Sequence, residues 1–219
     1  MGCKVPLDPH PLPPENFNQL KLPLSYNHGF DYYRLNRVGY NSAIYFDAAH
    51  TRRSSPPATT RRRKPPRGEG RFDGAKQSYG ICYLGETIEA AFIECFGREL
   101  GIKFLTQEFI KSRNLFIINS ERQLKLVDLF GSGLAKLGAD KRLTGGDYDL
   151  SRQWAEAIYQ HPERVDGIRY YSRHDDTQLC CGLFDRSIHQ LQEKNTGNLI
   201  ESDANRLANI LNRYDFGIL

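Results

Sequence analysis

Residues 70–96 concentrate the side chains of this sequence that are best suited to binding and chemistry. They include an arginine directly after a glycine (Arg71), a tyrosine on an alternating strand pattern (Tyr83) and an acid inside an apolar helix pattern (Glu94). Arginine presents a planar fork of donors to oxyanions, and tyrosine combines a flat ring with a hydroxyl. A fixed carboxylate stabilises positive charge that develops beside it. This stretch is therefore the first candidate for a functional site.

The helix predicted after Gly85 makes Glu94 the most informative of these residues. Thr87 is placed to cap this helix. Its apolar face follows helical spacing and consists of Ile88, Ala91, Phe92 and Cys95. Further apolar residues fall on the other sides, so the helix is expected to be well buried. A buried carboxylate is costly unless it is paired or serves a function. For Glu94, a structural ion pair and a functional role are both open interpretations.

The composition predicts a single globular domain in a reducing cytoplasm. A chain of 219 residues, of which 39% are hydrophobic, can bury a proper core. No apolar run reaches the length of a membrane span, and the N-terminus lacks a signal-peptide pattern. The five cysteines show neither a CxxC pair nor metal-ligand spacing. We therefore expect a cytoplasmic protein with free thiols, no metal site and no membrane association.

A basic, proline-rich segment, residues 51–69, interrupts the domain. The formal net charge of +4 comes largely from it, and clusters of Lys and Arg attract polyanions. However, the segment has no interleaved aromatic residues, and the sequence has no helix-turn-helix or zinc pattern. The segment is expected to be a solvated loop insertion without direct nucleic-acid binding. A role in attracting an anionic ligand or an acidic partner is left open.

The order of predicted elements indicates an α+β fold. Residues 1–29 are expected to form an extended arm, and residues 30–219 the folded domain. Short strands mix with short helices, without the regular alternation of a doubly wound sheet. The strands are predicted at 30–35, 43–46, 79–84, 115–118, 124–129, 168–171 and 180–184. A helix capped by Asp149 or Ser151, a polar linker over 189–201 and a C-terminal helix over 201–214 complete the prediction.

A series of short motifs follows in one order and spacing from about residue 33 to residue 219. The motifs are Tyr33-Arg34, Gly70-Arg71-Phe72-Asp73, Cys82-Tyr83-Leu84-Gly85, Ala90-Ala91-Phe92-Ile93-Glu94, Leu126-Val127-Asp128-Leu129, Gln153-Trp154-Ala155, Asp166-Gly167-Ile168-Arg169-Tyr170-Tyr171-Ser172-Arg173 and Leu183-Phe184-Asp185. In this arrangement the chain resembles the RES-domain family, toxins of bacterial toxin–antitoxin pairs. The resemblance implies an ADP-ribosyltransferase-like fold in a single domain, with central mixed or antiparallel sheets flanked by short helices.

The resemblance also implies which residues form the site. The arginine, glutamate and serine for which the family is named fall on Arg71, Glu94 and Ser172. The tyrosine that precedes the glutamate helix falls on Tyr83, and Arg34 occupies a second arginine position. Glu94, Arg71 and Ser172 are thus the implied catalytic residues. Arg71, Tyr83 and Arg34 are the implied residues for binding NAD+.

The implied reaction is cleavage of the nicotinamide–ribose bond of NAD+, which is the substrate. Breaking this bond develops oxocarbenium charge on the ribose, which the Glu94 carboxylate would stabilise. Arg71 would hold the pyrophosphate or a ribose-bound oxygen, and Tyr83 would stack on the nicotinamide. Ser172 would hold Glu94 or a ribose hydroxyl. Nicotinamide leaves as a neutral group, so no strong general acid is required.

Each of these residues also has a purely structural interpretation. Arg71 can brace the turn after Gly70, and Tyr83 can be a core residue, as strand aromatics usually are. Ser172 can simply end a strand, and Arg34 can form a structural ion pair. The motif resemblance favours the functional interpretation, most clearly for Glu94 and Arg71.

Partners and alternative functions follow from the same resemblance. The implied partner is an antitoxin with an Xre-type helix-turn-helix domain, and a homodimer within the toxin–antitoxin complex is possible. One alternative keeps the fold and changes the acceptor, so that ADP-ribose is transferred to a protein or to phosphate. The other is a catalytically silent module that docks an acidic partner or a nucleic acid through residues 51–67.

Overall fold

The central feature of the computed structural model, which describes residues 12–40, 42–44, 70–74 and 78–219, is an eight-stranded mixed sheet. Its strands are β1 (Leu24–Asn27), β2 (Tyr32–Arg37), β3 (Ile81–Gly85), β5 (Arg113–Ser120), β6 (Leu124–Asp128), β7 (Gly167–Tyr171), β8 (Leu179–Phe184) and β9 (Leu191–Asn195). They lie in the order β1-β6-β7-β8-β3-β2-β5-β9. The pair β6–β7 is parallel, and the other neighbouring pairs of this sheet are antiparallel. A separate parallel pair joins β4 (Phe104–Leu105) to β10 (Gly217–Ile218).

Short helices connect these strands and flank the sheet. They are α1 (Ile88–Phe96), α2 (Gln107–Lys111), α3 (Ser132–Lys136), α4 (Arg142–Gly145), α5 (Tyr148–Gln160), α6 (Leu199–Ser202) and α7 (Ala204–Tyr214). Within the described residues, 3-10 helices span Phe17–Gln19 and Asp185–Gln190. The α+β prediction is confirmed. In the part of the chain that the structure describes, no helix has the length and apolar character needed to cross a bilayer.

Alternating side chains give the sheet two different buried faces. On β2, Tyr32 joins a cluster with Phe116 and Leu183. The next residue, Tyr33, packs instead with Phe92 of α1 on the other face. A period of two therefore assigns each strand residue to one face or the other, as the pleat of a strand requires.

The strand–turn–helix unit predicted around Gly85 is confirmed. Because Gly85 has no side chain, α1 can pack closely against β3. A Cβ atom at Gly85 would lie 2.6 Å from the backbone nitrogen of Ala91, so any side chain there would push α1 away from β3. The hydroxyl of Thr87 caps the helix by accepting a hydrogen bond from Ala90 N at 3.0 Å. Helix α1 is thereby fixed against the end of β3.

Several predicted elements differ from the structure. The polar linker predicted over 189–201 is wrong, because it contains strand β9 and the start of α6. The exposed side chains of this edge strand conceal its ladder with β5 from the sequence pattern. Asp147, rather than Asp149 or Ser151, caps α5. Four residues of the predicted arm form β1 and pair with β6.

Some predictions cannot be compared with the structure. The basic segment 51–69 and the first eleven residues of the arm lie outside the described residues. The strand predicted over 43–46 lies half outside them, and residues 43 and 44 carry no strand. The predicted C-terminal helix is present but is divided at Asp203 into α6 and α7.

A buried ion cluster joins the middle of β7 to the ends of β3 and β6. Arg169 on β7 donates two hydrogen bonds to Glu86, which follows β3, at 2.6 and 2.9 Å. It also donates to Asp128 at the end of β6, at 3.2 Å. The Glu86 side chain is only 7% exposed and that of Arg169 14%. Because little water reaches these groups, the opposite charges must stabilise one another in its place.

Replacing Arg169 with methionine should destabilise the fold strongly. The change leaves two carboxylates together without their cation, and we expect the free energy of unfolding to fall by about 3–5 kcal/mol. Urea titration of the purified variant measures this. The control is Lys141→Met, which removes a cation that lies 3.8 Å from Asp176 with both side chains more than three-quarters exposed. It should cost less than about 0.5 kcal/mol. Equal losses in the two variants would contradict the structural role of the cluster.

Candidate functional site

The carboxylate of Glu94 is held by the residues that follow strand β7. Ser172 Oγ donates a hydrogen bond to Glu94 Oε1 at 2.7 Å, and the backbone N–H of Arg173 donates to the same oxygen at 3.2 Å. Ser172 is 4% exposed, whereas Glu94 is half-buried. Among the described residues, no donor reaches the second carboxylate oxygen, Oε2. One oxygen is thus fixed by the protein and the other is open to a ligand.

The loop after β7 positions Ser172 through its own backbone. The Ser172 hydroxyl accepts hydrogen bonds from the N–H groups of His174 and Asp175, so the proton of its hydroxyl is directed to Glu94. Ser172 N donates to Gln178 O at 2.8 Å, which closes the loop at its base. The Thr87 hydroxyl donates to the side chain of Gln178 and so connects this loop to the first turn of α1.

Arg71 is a buried cation held on one side by α5 and the residues before it. It is 8% exposed, its Nη1 donates to Gly146 O at 3.0 Å, and its guanidinium carbon lies 4.6 Å from the centre of the Tyr148 ring. Burial lowers the pKa of Arg71, while the charge of Glu94 opposes this shift. An arginine keeps its proton even so. Arg71 and Glu94 therefore form an oppositely charged pair of groups in one site.

Tyr83 braces the corner that carries Arg71. Its hydroxyl donates to Asp73 Oδ1 at 2.7 Å and accepts from the backbone N–H of Phe72 at 2.9 Å. Burial and the neighbouring Asp73 raise the pKa of Tyr83 well above its ordinary value, so the hydroxyl stays protonated. Its ring is half-buried and packs at the edge of the core. The hydroxyl is thus committed to the corner, and the ring is the part left for a ligand.

The same corner requires glycine at position 70. A Cβ atom there would collide with the Asp73 carboxylate and would lie 2.5 Å from the Tyr83 hydroxyl. The Gly70 carbonyl accepts hydrogen bonds from Arg152 of α5, at 3.2 and 3.3 Å. Helix α5 and its preceding loop therefore hold both Gly70 and Arg71.

Arg34 lies apart from this group. Its Nη1 donates to Ala43 O and to Cys82 Sγ, each at 2.9 Å, and Cys82 belongs to the core cluster on the other face of the sheet. The structure thus brings together Arg71, Tyr83, Glu94 and Ser172 but leaves Arg34 on the face opposite α1. The arrangement offers no support for the prediction that Arg34 contacts the same ligand.

Three contributors to the site were missed in the sequence. Tyr148 and Gly146, which hold Arg71, belong to a segment with no pattern beyond a helix start. The contribution of the Arg173 amide was easier to predict, because the N–H that follows a strand-ending serine can donate to the acceptor that the serine hydroxyl bonds, here Glu94. Tyr170 and Cys180 also lie close enough for Glu94 to raise their pKa values, after the larger effect of burial. Both stay protonated, so Cys180 is not a thiolate nucleophile.

The arrangement suits the stabilisation of positive charge. It offers a carboxylate with one free oxygen and a guanidinium with donors that meet no described residue. Among the residues with assigned positions, no three His, Cys, Asp or Glu side chains cluster as metal ligands would. A carboxylate of this kind can stabilise positive charge that develops beside it, and a guanidinium can bond to an anionic group.

Comparison with known proteins points to one family. The model of the RES domain matches residues 44–201, which include all four clustered site residues but not Arg34. A probable toxin, y4kH of Sinorhizobium fredii (strain NBRC 101917 / NGR234), is 28% identical over 103 residues, which is 47% of this chain and 80% of that protein. The crystal structure of the M. tuberculosis MbcT–MbcA toxin–antitoxin complex matches with a TM-score of 0.49 and 14% identity, over 80% of this chain and 89% of that one.

Replacing Tyr83 with phenylalanine should loosen the arginine corner. The change leaves Phe72 N without its acceptor and Asp73 Oδ1 without its Tyr83 donor, while Gly70 N still donates to Asp73 Oδ2. We expect a loss of about 1–3 kcal/mol in the free energy of unfolding. Urea titration measures it. Tyr26→Phe is the matched control, because Tyr26 is 55% exposed and should change stability by less than about 0.5 kcal/mol. A Tyr83 variant as stable as the control would show that the hydroxyl does not brace the corner.

Proposed function

The chain belongs to the RES-domain family, and we propose that it is a toxin that cleaves the nicotinamide–ribose bond of NAD+. The observation that carries the proposal is the fixed carboxylate of Glu94, with one oxygen bonded by Ser172 and Arg173 and the other without a donor among the described residues. The match to the RES domain covers this carboxylate, its serine and the arginine opposite.

Glu94 would act on the sugar. As the bond to nicotinamide lengthens, positive charge spreads over the ribose ring oxygen and the anomeric carbon. A carboxylate that is already oriented stabilises this charge without having to reorganise. The hydrogen bonds to Oε1 fix that orientation, and Oε2 would face the ribose or accept from one of its hydroxyls.

Arg71 would hold the anionic half of the same substrate. Its contacts with Gly146 O and the Tyr148 ring fix the guanidinium, and its remaining donors would bond to the pyrophosphate or to a ribose-bound oxygen. The attraction between this guanidinium and an anion is stronger in a buried setting than on the surface, because little water screens it. NAD+ carries a pyrophosphate close to its nicotinamide ribose, so one molecule would meet both groups.

No proton donor is needed for the leaving group. Nicotinamide departs as a neutral molecule, and the protonated Tyr170 and Cys180 side chains near Glu94 need not take part. The Tyr83 ring would stack on the nicotinamide while its hydroxyl stays bonded to Asp73. We propose no metal and no cofactor other than NAD+ as substrate.

The toxin role implies a partner that neutralises it. We propose an antitoxin with an Xre-type helix-turn-helix domain, with a toxin homodimer inside the complex. The family membership supports a toxin–antitoxin pair in general. Co-purification of the tagged chain with the product of a short adjacent gene is the direct test.

The identity of the acceptor is decided by the products. Purified protein is incubated with NAD+, with and without phosphate, and nicotinamide, ADP-ribose and ADP-ribose-1-phosphate are separated. Free ADP-ribose indicates water as the acceptor, and ADP-ribose-1-phosphate indicates phosphate. When the ADP-ribose part of NAD+ carries a radiolabel, label found on a protein indicates ADP-ribosyl transfer. Absence of nicotinamide in every condition would reject the enzymatic function in favour of a silent binding module.

Replacing Glu94 with glutamine should remove most of the activity. The amide keeps the shape of the side chain but loses the charge that stabilises the oxocarbenium ion, so we expect nicotinamide release to fall about 10²–10³-fold or more. The rate is followed by chromatography of free nicotinamide. Glu99→Gln is the matched control, because Glu99 is an exposed carboxylate just beyond α1. Release that survives in the Glu94 variant would reject the proposed mechanism.

Replacing Arg71 with lysine should weaken substrate binding. The charge remains, but the planar fork and its contact with the Tyr148 ring are lost. Since a hydrogen bond to a charged group is worth about 1.5–3 kcal/mol, KM for NAD+ should rise about 10- to 100-fold. Steady-state kinetics measure it, with Arg164→Lys as a control at an exposed position. An unchanged KM would show that Arg71 does not contact NAD+.

A further inference from the structure

The C-terminal helix α7 contacts both of the elements that carry the Glu94–Ser172 pair. One of them is α1, which bears Glu94. The other is the loop 172–178, which bears Ser172 and the Arg173 amide. These two elements are far apart in sequence, and the hydrogen bond between Glu94 and Ser172 bridges 78 positions of the chain. Whatever fixes them relative to each other also fixes the catalytic carboxylate of the proposed reaction.

Helix α7 is anchored to α1 by apolar packing and by one ion pair. Leu207 and Ile210 of α7 share a buried cluster with Phe92, which is on the same helix as Glu94. Arg206 Nε lies 3.2 Å from Glu89 Oε1 in the first turn of α1. Because the Glu89 side chain is only 17% exposed, this pair is better protected from water than an ordinary surface pair. The two helices therefore form one packed unit.

The other end of α7 is anchored to the loop through Asp175. The Tyr214 hydroxyl donates to Asp175 Oδ2 at 2.8 Å, and Arg213 Nη2 lies 3.3 Å from the same oxygen. Arg213 also donates to the Thr177 hydroxyl at 2.9 Å. The other oxygen, Oδ1, accepts from the backbone and the hydroxyl of Thr177. Asp175 is thus the residue through which α7 binds the loop 172–178. We call the contacts of Asp175 with Arg213 and Tyr214 the clamp.

The charge on Asp175 is suited to this role. Burial alone would raise the pKa of Asp175, but the hydrogen bonds from Thr177 and Tyr214 and the charge of Arg213 lower it. The carboxylate is therefore ionised at neutral pH, and an ionised acceptor makes stronger hydrogen bonds than a neutral one. In the same loop, the N–H of Asp175 donates to Ser172 Oγ, which in turn donates to Glu94. A continuous chain of hydrogen bonds leads from Tyr214 to the carboxylate.

We propose that Asp175 and Tyr214 are positioning residues that let helix α7 hold the Ser172 loop against Glu94. This inference rests on the proposed function for its effect on rate. Asp175 does not touch the substrate; it keeps Ser172 and the Arg173 amide where they orient Glu94 Oε1. Loss of the clamp should lower kcat and leave KM for NAD+ nearly unchanged, because the carboxylate acts in the transition state whereas Arg71 holds the ground state.

The experiment is a double-mutant cycle between Tyr214→Phe and Ser172→Ala. Tyr214→Phe removes one hydroxyl and keeps the ring, so we expect a three- to tenfold lower kcat with the melting temperature nearly unchanged. The double variant should lose clearly less than the product of the two single losses, because both changes act on the same hydrogen-bond chain. Asp175→Asn serves as a second, independent break of the clamp. Asn209→Ala, at an exposed site of α7, is the control.

A second measurement does not depend on turnover. Amide hydrogen exchange at Arg173, His174 and Asp175 reports whether the loop stays bonded to Glu94 and Ser172. Exchange in the Tyr214→Phe protein should be at least several-fold faster at these three amides, and unchanged in the Asn209→Ala protein. Unaltered exchange, a wild-type kcat, or fully multiplicative losses in the cycle would each overturn the inference. If the wild-type protein released no nicotinamide, the proposed function would fail, while amide exchange would still decide whether α7 holds the loop.

Discussion

The hydrogen bond from Ser172 to Glu94 is the interaction on which the rest of the structure depends. A carboxylate within a largely buried helix must be bonded, and it becomes useful only when part of it stays free. The protein meets both conditions by supplying two donors to one oxygen. To do so it must bring the end of β7 next to α1, which the antiparallel ladder from β7 through β8 to β3 achieves. The turn at Gly85 then folds α1 back over β3.

The guanidinium opposite is organised by the same principle. Arg71 is bonded on one edge by Gly146 and stacked on Tyr148, while its other donors meet no acceptor in the part of the chain that the structure describes. The corner that carries it depends on a glycine without a Cβ atom and on the hydroxyl of Tyr83. The result is a site with a negative group and a positive group, each anchored at one side by the protein. Such preorganisation lowers a barrier because the groups need not reorient as charge develops.

Much of the local structure could be predicted from the sequence, because it depends on neighbours along the chain. Thr87 and the apolar spacing after it specify α1, and the alternation around Tyr83 specifies β3. The edge strand β9 could not be predicted, because its side chains are mostly exposed and polar and only the ladder with β5 makes it a strand. The same holds for β1 within the predicted arm, which is a strand because it pairs with β6. Pairing is a property of two segments, and a local pattern contains only one of them.

The sequence by itself determined the residue types of the site and the elements that carry them, together with the family that their order resembles. Only the tertiary structure decided which of these residues meet. It placed Arg71, Tyr83, Glu94 and Ser172 on one side of the sheet and Arg34 on the other, since successive residues of a strand point to opposite faces. It also decided that Tyr83 braces a corner and that Asp175 joins α7 to the serine loop. Contacts of this kind form between segments that are distant in the chain, and no spacing within one segment encodes them.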